Sequence, residues 1–373
     1  MGIVVENPGV LTTIQDKGRY GYEQFGVSPS GPMDLESFQI ANILVGNSRD
    51  LSALEATMLG PTLRFTQDNI IAVTGGDMMP LLDEKPLPMN QAVLVKAGSV
   101  LKLRAARTGC RTYVAFAGGL DVPEVMGSRA TGVQNKVGGL EGRKLAKGDE
   151  ISFLAPKTAL PRMESRRTDH PMPAGNQRVL RVILGPQDDA FTPKGIETFL
   201  GQPYHVTNDF DRMGCRLDGP VIEHKVDGNI ISDGMVTGAI QVPTSGLPII
   251  MLAERQTVGG YTKIATVITA DLPVIGQCRP GDIIRFQSVT VPQAHQLWRE
   301  MQNRLNTLDQ NLNAPAPQAQ PSVQAHQSPV SPATTLPGPV RRYCITVNGK
   351  SMRPPSRWSP SNRKRCVSCI PSI

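Results

Sequence analysis

Apolar residues recur along most of this chain in short runs that Gly, Pro, Asn or Asp residues interrupt. Short apolar runs with this punctuation are typical of β-strands joined by turns. The predicted strands are Ile3–Val5, Leu63–Phe65, Ile70–Thr74, Ala92–Val95, Val100–Leu103, Arg111–Ala117, Val179–Leu184, Gly238–Val242, Ile249–Ala253, Lys263–Ile268 and Ile283–Phe286. The pattern therefore predicts a mainly β protein with a few helices.

Three segments have helical spacing instead. Asp34 precedes apolar residues at helical spacing up to Leu44, and it is placed to cap the N-terminus of that helix. Asp50–Met58 predicts a second, shorter helix, and Ala294–Leu308 predicts an amphipathic helix near the end of the apolar pattern.

A weak internal repeat connects the two halves of the pattern. Leu145–Phe153 and Cys278–Phe286 each place a Gly-Asp pair before a final strand. Such turns are common enough for chance to explain one pair, but the repeat also fits two similar β-barrel domains in tandem. The predicted domains are residues 1–155 and 179–310, joined by a polar linker at 156–178.

From residue 311 to residue 373 the sequence changes character. Pro, Gln, Ala and Ser dominate first, and basic residues without apolar periodicity follow, so this segment is predicted to be disordered. Cys366 and Cys369 form a lone CxxC there, which lacks the second pair of a zinc site.

The positive charge is concentrated in that tail. The 373 residues carry a formal net charge of +7, but no acidic residue follows Asp309 and eight basic residues do. The folded part is therefore close to neutral, which argues against nucleic acid as a partner. Hydrophobic residues make up 39% and charged residues 19%, as in soluble globular proteins. No signal peptide or membrane-spanning run is recognisable, so we expect a cytoplasmic protein.

The sequence lacks the motifs that are typical of several catalytic mechanisms. The sequence contains no G-x-x-x-x-G-K-[ST] phosphate loop, no G-x-G-x-x-G after a strand and no G-x-S-x-G serine turn. The five histidines are scattered without metal-ligand spacing, so no metal site is predicted. If the protein is catalytic, we expect it to act by positioning and electrostatics.

A first cluster of candidate residues lies near the N-terminus. Gln15, Asp16 and Arg19 combine an amide, a carboxylate and a guanidinium within one loop, a set that can grip a small amide or carboxylate ligand. The alternative is that Asp16 and Arg19 simply pin a surface turn. Ser30 and Gly31 precede the first helix, where they either hold an anion or belong to ordinary N-capping.

A second cluster surrounds a glycine pair before a predicted strand. Its members are Arg212, Gln256, Thr257, Gly259, Gly260, Tyr261 and Lys263. Lys263 taken alone is equally typical of a solvent-facing strand residue, but polar residues around two glycines favour a binding turn. We predict that this stretch faces the N-terminal one across a single cleft. Cys215 lies beside Arg216, but without a nearby histidine it is interpreted as structural.

Together these segments resemble the family of the 5-oxoprolinase C component, also called allophanate hydrolase subunit 2. That family includes the carboxyltransferase domain of biotin-dependent urea carboxylase. The resemblance covers roughly residues 3–300, and the tail after about Asn311 lies outside it. The matching segments are Pro8–Arg19, Gly26–Val27, Ser30–Asp34, Ala41–Asn42, Leu44–Asn47, Leu54–Glu55, Gly139–Arg143, Gln256–Tyr261, Ile264–Ile268, Ala270–Leu272 and Pro280–Asp282.

The resemblance implies two cyclophilin-like β-barrels and a component of an ATP-dependent 5-oxoprolinase that converts 5-oxo-L-proline to L-glutamate. It implies ATP with magnesium as the cofactor, a small amide substrate, and two partner proteins that resemble the B and A components of 5-oxoprolinase. The catalytic residues expected on this basis are Asp16, Arg19 and Lys263. The substrate-binding residues expected are Gln15, Ser30, Arg212, Gln256, Thr257, Gly259, Gly260 and Tyr261.

Two alternatives remain open at this point. The chain could be the carboxyltransferase component of a urea carboxylase, and because it has no Met-Lys-Met segment the biotin would sit on a separate carrier. It could also be a non-catalytic regulator that acts through a B-like protein. The sequence does not decide which component binds ATP, whether the amide is 5-oxoproline or urea, or the stoichiometry.

Overall fold

The N-terminal half folds into two antiparallel sheets that enclose one core. The computed structural model describes residues 2–170, 175–313, 345–347 and 350–352. The strands of this half are β1 (Gly2–Asn7), β2 (Leu11–Gln15), β3 (Ala53–Thr57), β4 (Thr62–Phe65), β5 (Asn69–Asp77), β6 (Leu81–Leu82), β7 (Lys85–Pro86), β8 (Ala92–Val95), β9 (Val100–Lys102), β10 (Thr108–Phe116) and β11 (Glu150–Ser152). One sheet has the order β11-β1-β4-β9-β6-β7 and the other β2-β3-β10-β5-β8.

Apolar side chains from both sheets form the core between them. Val5 and Leu63 from the first sheet and Val73 and Val114 from the second are fully buried in the same cluster. Because successive side chains of a strand point to opposite faces, each sheet presents one apolar face to the other.

The second half forms a closed barrel. Its strands are β12 (Gln177–Leu184), β13 (Tyr204–Phe210), β14 (Gly214–Asp218), β15 (Asn229–Gly234), β16 (Ala239–Val242), β17 (Ile249–Met251), β18 (Val258–Val267) and β19 (Ile283–Ser288). The sheet order is β12-β19-β13-β14-β17-β16-β18-β15, and β12 also pairs with β18. That extra pairing closes the ring and leaves β15 outside it. The prediction of a mainly β fold is confirmed.

Four helices accompany the sheets in the described residues. They are α1 (Leu35–Leu44), α2 (Pro193–Gly201), α3 (Leu272–Gly276) and α4 (Val291–Asn313). The predicted cap of α1 is confirmed, since the Asp34 carboxylate accepts a hydrogen bond from the Ser37 amide. Helix α4 begins and ends beyond the predicted 294–308 span, and α2 was not predicted.

Helix α4 packs against α1, so the end of the second half returns to the first. Phe38 and Leu44 of α1 share a core cluster with Met301 and Leu305 of α4. The predicted boundaries near 155 and 179 separate the sheets of the two halves, yet Met1–Ala316 forms one compact unit. The domain boundaries themselves stay a prediction.

A buried arginine of the predicted linker ties these two helices together. The Arg166 guanidinium donates to the carbonyl oxygens of Ile43 (3.2 Å) and Leu44 (2.8 Å) at the end of α1. It also donates to the Leu312 carbonyl (3.2 Å) and the Asn313 Oδ1 (2.6 Å) at the end of α4. Burial lowers the pKa of Arg166, but the negative ends of two helices favour its charge there.

The internal repeat is confirmed at the Gly-Asp turns. The Asp149 Oδ2 accepts from the Ala146 amide (2.7 Å), and the Asp282 Oδ2 accepts from the Arg279 amide (3.1 Å). The glycine of each turn has a left-handed backbone, with φ of 89° at position 148 and 90° at position 281. The Gly148 amide donates to the Val5 carbonyl of β1, and the Gly281 amide donates to the Val206 carbonyl of β13, both at 2.8 Å. In each half the strand that accepts this bond pairs antiparallel with the final strand of that half, β11 or β19. The same turn therefore closes both halves.

The predicted helix at Asp50–Met58 is wrong. Ala53–Thr57 is instead strand β3, which pairs antiparallel with both β2 and β10. Hydrogen bonds to two neighbouring strands override the weak local helical preference of a short segment.

The predicted disordered segment lies mostly outside the described residues. Residues 311–313 complete α4, and the strands β20 (Ile345–Val347) and β21 (Lys350–Met352) form an antiparallel hairpin. Cys366 and Cys369 also lie outside the described residues. Among those that the structure describes, no helix is both long and apolar enough to cross a membrane.

Candidate functional site

The loop before α1 joins the two halves. The Ser30 amide donates to the Ala253 carbonyl at 3.1 Å, and the Ser28 Oγ donates to the Arg255 carbonyl at 2.6 Å. This contact places the predicted N-terminal stretch against the residues that directly precede Gln256. A single cleft shared by the N-terminal stretch and the residues from Gln256 onward stays a prediction.

Two of the predicted substrate-binding side chains hold this loop rather than point into an open space. The Gln15 Oε1 accepts from the Gly31 amide at 3.0 Å. The Arg212 Nη2 donates to the Gly31 carbonyl at 2.7 Å. The Met33 amide donates to the Glu55 carboxylate at 2.9 Å. These three hydrogen bonds fix the backbone of the loop, in which Ser30 has a left-handed conformation with φ of 59°.

Arg212 lies at the centre of a buried ion cluster between the halves. Its guanidinium pairs with the carboxylates of Glu55 and Glu254, the latter at 2.6 Å. All three side chains are at most 4% exposed. Burial by itself lowers the pKa of Arg212, but the two carboxylates outweigh it and raise that pKa above its usual value.

Glu254 extends the cluster to the loop that follows β10 in the first half. Its Oε2 accepts from the amides of Val133 (3.2 Å) and Gln134 (3.4 Å). A single carboxylate of the second half thus fixes both Arg212 and a loop of the first half.

Asp16 organises the same region from the other side. Its Oδ1 accepts from the Gly18 amide (2.9 Å) and the Ser128 hydroxyl (2.6 Å), and its Oδ2 accepts from the Arg129 amide (2.5 Å). With these three donors, the Asp16 carboxylate fixes the loop around residue 128.

Arg19 has a similar set of partners. Its Nε donates to the Val125 carbonyl and its Nη2 to the Ala130 carbonyl, both at 2.9 Å, and the residue is 1% exposed. Burial lowers the pKa of Arg19, and the nearby Asp16 charge partly offsets this effect. Of the two interpretations of this cluster, these bonds match a pinned loop; a catalytic role for either residue stays a prediction.

Lys263 belongs to a separate cluster on β18 and β15. Its Nζ donates to the Asp233 carboxylate (2.6 Å) and the Gly234 carbonyl (3.0 Å), and its side chain is 4% exposed. Hydrogen bonding to Lys263 lowers the pKa of Asp233. Within the described residues no hydrogen bond or ion pair joins Lys263 to Arg19; a joint catalytic role for these residues stays a prediction.

The other residues of the second cluster lie along the start of β18. Gln256 is exposed, Tyr261 is 40% exposed, and the Thr257 carbonyl accepts from the Met235 amide at 2.9 Å. A Cβ at Gly259 would lie 2.5 Å from the Met235 side chain, whereas Gly260 has more room. Close packing against Met235 therefore favours a glycine at position 259, and a substrate-binding role for the pair stays a prediction.

A cavity of about 290 Å³ lies beside the loop and is lined by both halves and by α4. Its lining includes Lys17, Ser30, Gln39, Leu252, Leu272 and Trp298. The Ser30 Oγ and the Gln39 Oε1 are buried without a hydrogen-bond partner among the described residues. Of the predicted site residues, Ser30 lines this cavity. Gln39 and Trp298 carry no local sequence signal, because the packing of α1 near α4 brings them to it.

A larger groove of about 580 Å³ lies elsewhere, between β5, the β6–β7 hairpin and His170. None of the predicted site residues lines it, so the interdomain cavity is the better candidate site.

Neither the cysteines nor the possible metal ligands of the described residues form a second candidate site. Burial raises the pKa of Cys215 well above its usual value, so its neighbouring arginines do not activate it. No group of three or more His, Cys, Asp or Glu side chains in the described part of the chain is arranged to hold a metal.

Comparisons with known proteins agree on one family. The model of the carboxyltransferase domain, subdomains A and B, matches residues 25–288. The C component of 5-oxoprolinase from Escherichia coli K12 is 35% identical over 305 residues, which cover 82% of this chain and 97% of that protein. The protein of the same name from Haemophilus influenzae is 36% identical over 288 residues, covering 77% of this chain and 91% of the relative.

The crystal structure of the K. lactis urea amidolyase has a similar fold. It aligns with a TM-score of 0.77 and 32% identity over 82% of this chain, but over 20% of that protein. This chain therefore corresponds to about one fifth of urea amidolyase and to nearly all of the 5-oxoprolinase C component.

Proposed function

Because this chain belongs to the carboxyltransferase-domain family (subdomains A and B), we propose that it is the C component of an ATP-dependent 5-oxoprolinase. The proposed reaction opens 5-oxo-L-proline to L-glutamate. The observation that carries this proposal is the match to the 5-oxoprolinase C component along nearly the whole length of that protein.

The chemistry suits a site that positions its substrate. A lactam carbonyl is a poor electrophile, and transfer of the γ-phosphoryl group of ATP to its oxygen, with release of ADP, activates the carbonyl carbon toward water. After water adds, the ring C–N bond breaks with protonation of the nitrogen, and a second water hydrolyses the resulting acyl phosphate to glutamate and phosphate. What this chain adds is the cavity between its two halves, beside the loop that Gln15 and Arg212 hold.

ATP, with magnesium, is proposed to bind where this chain meets its partner. A cavity of about 290 Å³ is at the lower limit of ligand pockets and is too small for a nucleoside triphosphate. The described residues also lack a phosphate loop. The proposed division of labour is that this chain orients the amide while the nucleotide is held largely by another protein of the complex.

The proposed partners are a protein like the B component of 5-oxoprolinase, which would form a hetero-oligomer with this chain, and a protein like the A component. A cytoplasmic location is part of the same proposal. The similarity to urea amidolyase supports a second candidate, a carboxyltransferase component that acts on urea with biotin on a separate carrier.

Reconstitution tests these candidates directly. The full chain is purified with its B-like and A-like partners, and ATP hydrolysis and glutamate formation are measured with 5-oxoproline or with urea plus a biotin carrier. Glutamate formation that requires all three proteins is the expected result. Turnover that requires urea and the carrier would replace the proposal with the second candidate, and a tight complex without turnover on either substrate would indicate a regulator.

A Gln256→Ala variant serves as the first probe of the predicted binding turn, because Gln256 is exposed and its loss leaves no buried partner. We expect an unchanged KM for 5-oxoproline and an unchanged melting temperature, because Gln256 is not among the residues that line the cavity. A raised KM would extend the substrate site to the turn. Gln296→Ala on the outer face of α4 is the matched control, since its amide donates only to Glu300 on the same helix at 3.0 Å.

A further inference from the structure

We propose that strand β15 (Asn229–Gly234) is the contact surface between two copies of this chain, which pair edge to edge about a twofold axis at Ile231. β15 is the end strand of its sheet and lies outside the closed ring. The inference concerns the assembly of this chain and does not rest on the proposed function.

β15 buries little within the single chain. Ile231 is 93% exposed, and Ile230 is the one residue of the strand that is partly buried. Among the residues that the structure describes, only β18 pairs with β15, so the outer edge of β15 is open to a further strand. Natural proteins usually protect such an edge, because its free N–H and C=O groups accept another strand. An edge that is both open and apolar therefore indicates a partner strand.

Further exposed apolar side chains surround the strand. Val226 and Val236 flank it in sequence and are 95% and 55% exposed. Val258 and Tyr261 on the neighbouring β18 are exposed as well. Clustered exposed apolar side chains mark protein contact sites, whereas single scattered ones are ordinary, and a partner that covers the cluster removes apolar surface from water.

The order of the residues selects a second copy of the same chain as the partner. When two copies pair antiparallel about Ile231, each residue faces the residue that lies equally far on the other side of Ile231 in the second copy. Ile231 then faces its own equivalent, and Asn229 faces Asp233 as an amide–carboxylate pair. Beyond the ends of the strand the same symmetry relates Val226 to Val236. An isologous twofold contact requires this self-complementarity.

Charge disfavours neighbouring registers. A pairing centred on Ile230 sets Asp227 against Asp233, and one centred on Asp233 sets that carboxylate against its own equivalent. In the register centred on Ile231, Asp233 faces an uncharged amide and keeps its ion pair with Lys263 at 2.6 Å. Because Lys263 belongs to β18, the contact lies one strand away from the predicted binding turn.

Light scattering on the full-length chain tests the contact. We expect a mass that rises with protein concentration to twice the chain mass of 40.3 kDa. Ile231→Lys sets two ammonium groups against each other on the twofold axis and should weaken dimerisation about tenfold or more. The far-ultraviolet circular dichroism should stay unchanged, because this side chain is almost fully exposed. Val179→Lys, at an exposed position of β12, is the matched control and should dimerise as the wild type does.

Two variants at Asn229 test the register. Asn229→Asp sets a carboxylate against Asp233 of the second copy, so it should weaken dimerisation about two- to fivefold. Asn229→Lys sets an ammonium group there and should strengthen dimerisation by a similar factor. A contact that depends on apolar surface alone would respond in the same direction to both, since each variant adds a charge.

The outcomes decide between the possible occupants of this edge. A dimer that Ile231→Lys disrupts, and that the two Asn229 variants shift in opposite directions, supports the inference. A wild-type chain that stays monomeric overturns it, and so does a dimer that Ile231→Lys leaves intact or that both Asn229 variants shift alike. For a monomeric chain, loss of binding to the B-like protein in Ile231→Lys would assign the edge to that partner. Protection of β15 from hydrogen exchange in the monomer would assign the edge to residues of this chain outside the described ranges.

Discussion

Replacing Arg212 with methionine tests the buried ion cluster between the halves. Methionine replaces the aliphatic part of the arginine side chain but lacks the guanidinium, so the carboxylates of Glu55 and Glu254 lose their shared cation. Breaking a buried pair by removing one partner costs about 3–5 kcal/mol, because a charge stays buried without compensation.

The remaining contacts place the expected loss near the lower end of that range. Glu55 still accepts from the Tyr113 hydroxyl at 2.8 Å and has Arg111 at 3.9 Å. Glu254 still accepts from two backbone amides. We therefore expect Arg212→Met to lower the free energy of unfolding by about 3 kcal/mol.

Urea unfolding followed by circular dichroism measures this loss. The control is Arg304→Met, which breaks an ion pair with Glu36 at 2.9 Å on an arginine that is 62% exposed. Exposed pairs contribute about 0–1 kcal/mol, so the control should unfold close to wild type. An Arg212→Met midpoint that coincides with the control would refute the reasoning, as would full additivity of Arg212→Met and Glu254→Gln, because coupled partners are non-additive.

Three further predictions concern the loops. Arg19→Lys keeps the charge, but a lysine cannot donate to both the Val125 and the Ala130 carbonyl, so the melting temperature should fall by a few degrees. A loss of turnover at an unchanged melting temperature would instead indicate that Arg19 contacts the substrate. Hydrogen bonding to Arg143 holds the pKa of Asp149 below its usual value. The ionised Asp149 carboxylate therefore contributes its full stabilisation of the folded protein above about pH 4, and this contribution is lost as the pH falls further. The urea midpoints of wild type and Asp149→Asn should therefore converge as the pH is lowered from neutral through that range, and a constant gap would contradict this. Gly148→Ala and Gly281→Ala should each cost about 1–2 kcal/mol in calorimetry, since both glycines have left-handed backbones in open space; unequal costs would argue against equivalent turns.

Local sequence determined the elements whose signals are short-range. Short apolar runs bounded by turn residues, the Asp34 cap and the Gly-Asp turns each depend on residues within a few positions of one another, so the sequence located many of the elements. The strands β2, β3, β13, β14 and β15 were not predicted. The family was also readable from ordered motifs in both halves. Gln15, Ser30 and Arg212 were predicted to bind substrate, which stays a prediction, and the structure brings all three to one loop.

Tertiary structure decided everything that depends on distant partners. Ala53–Thr57 is a strand because two other strands bond to it, and α4 returns to α1 because their apolar faces match. Gln39 and Trp298 are far apart in sequence and reach one cavity only through that packing. Gln15, Asp16, Arg19 and Arg212 hydrogen-bond to loops, because burial requires polar and charged groups to have partners, and only the folded chain shows which partners these are.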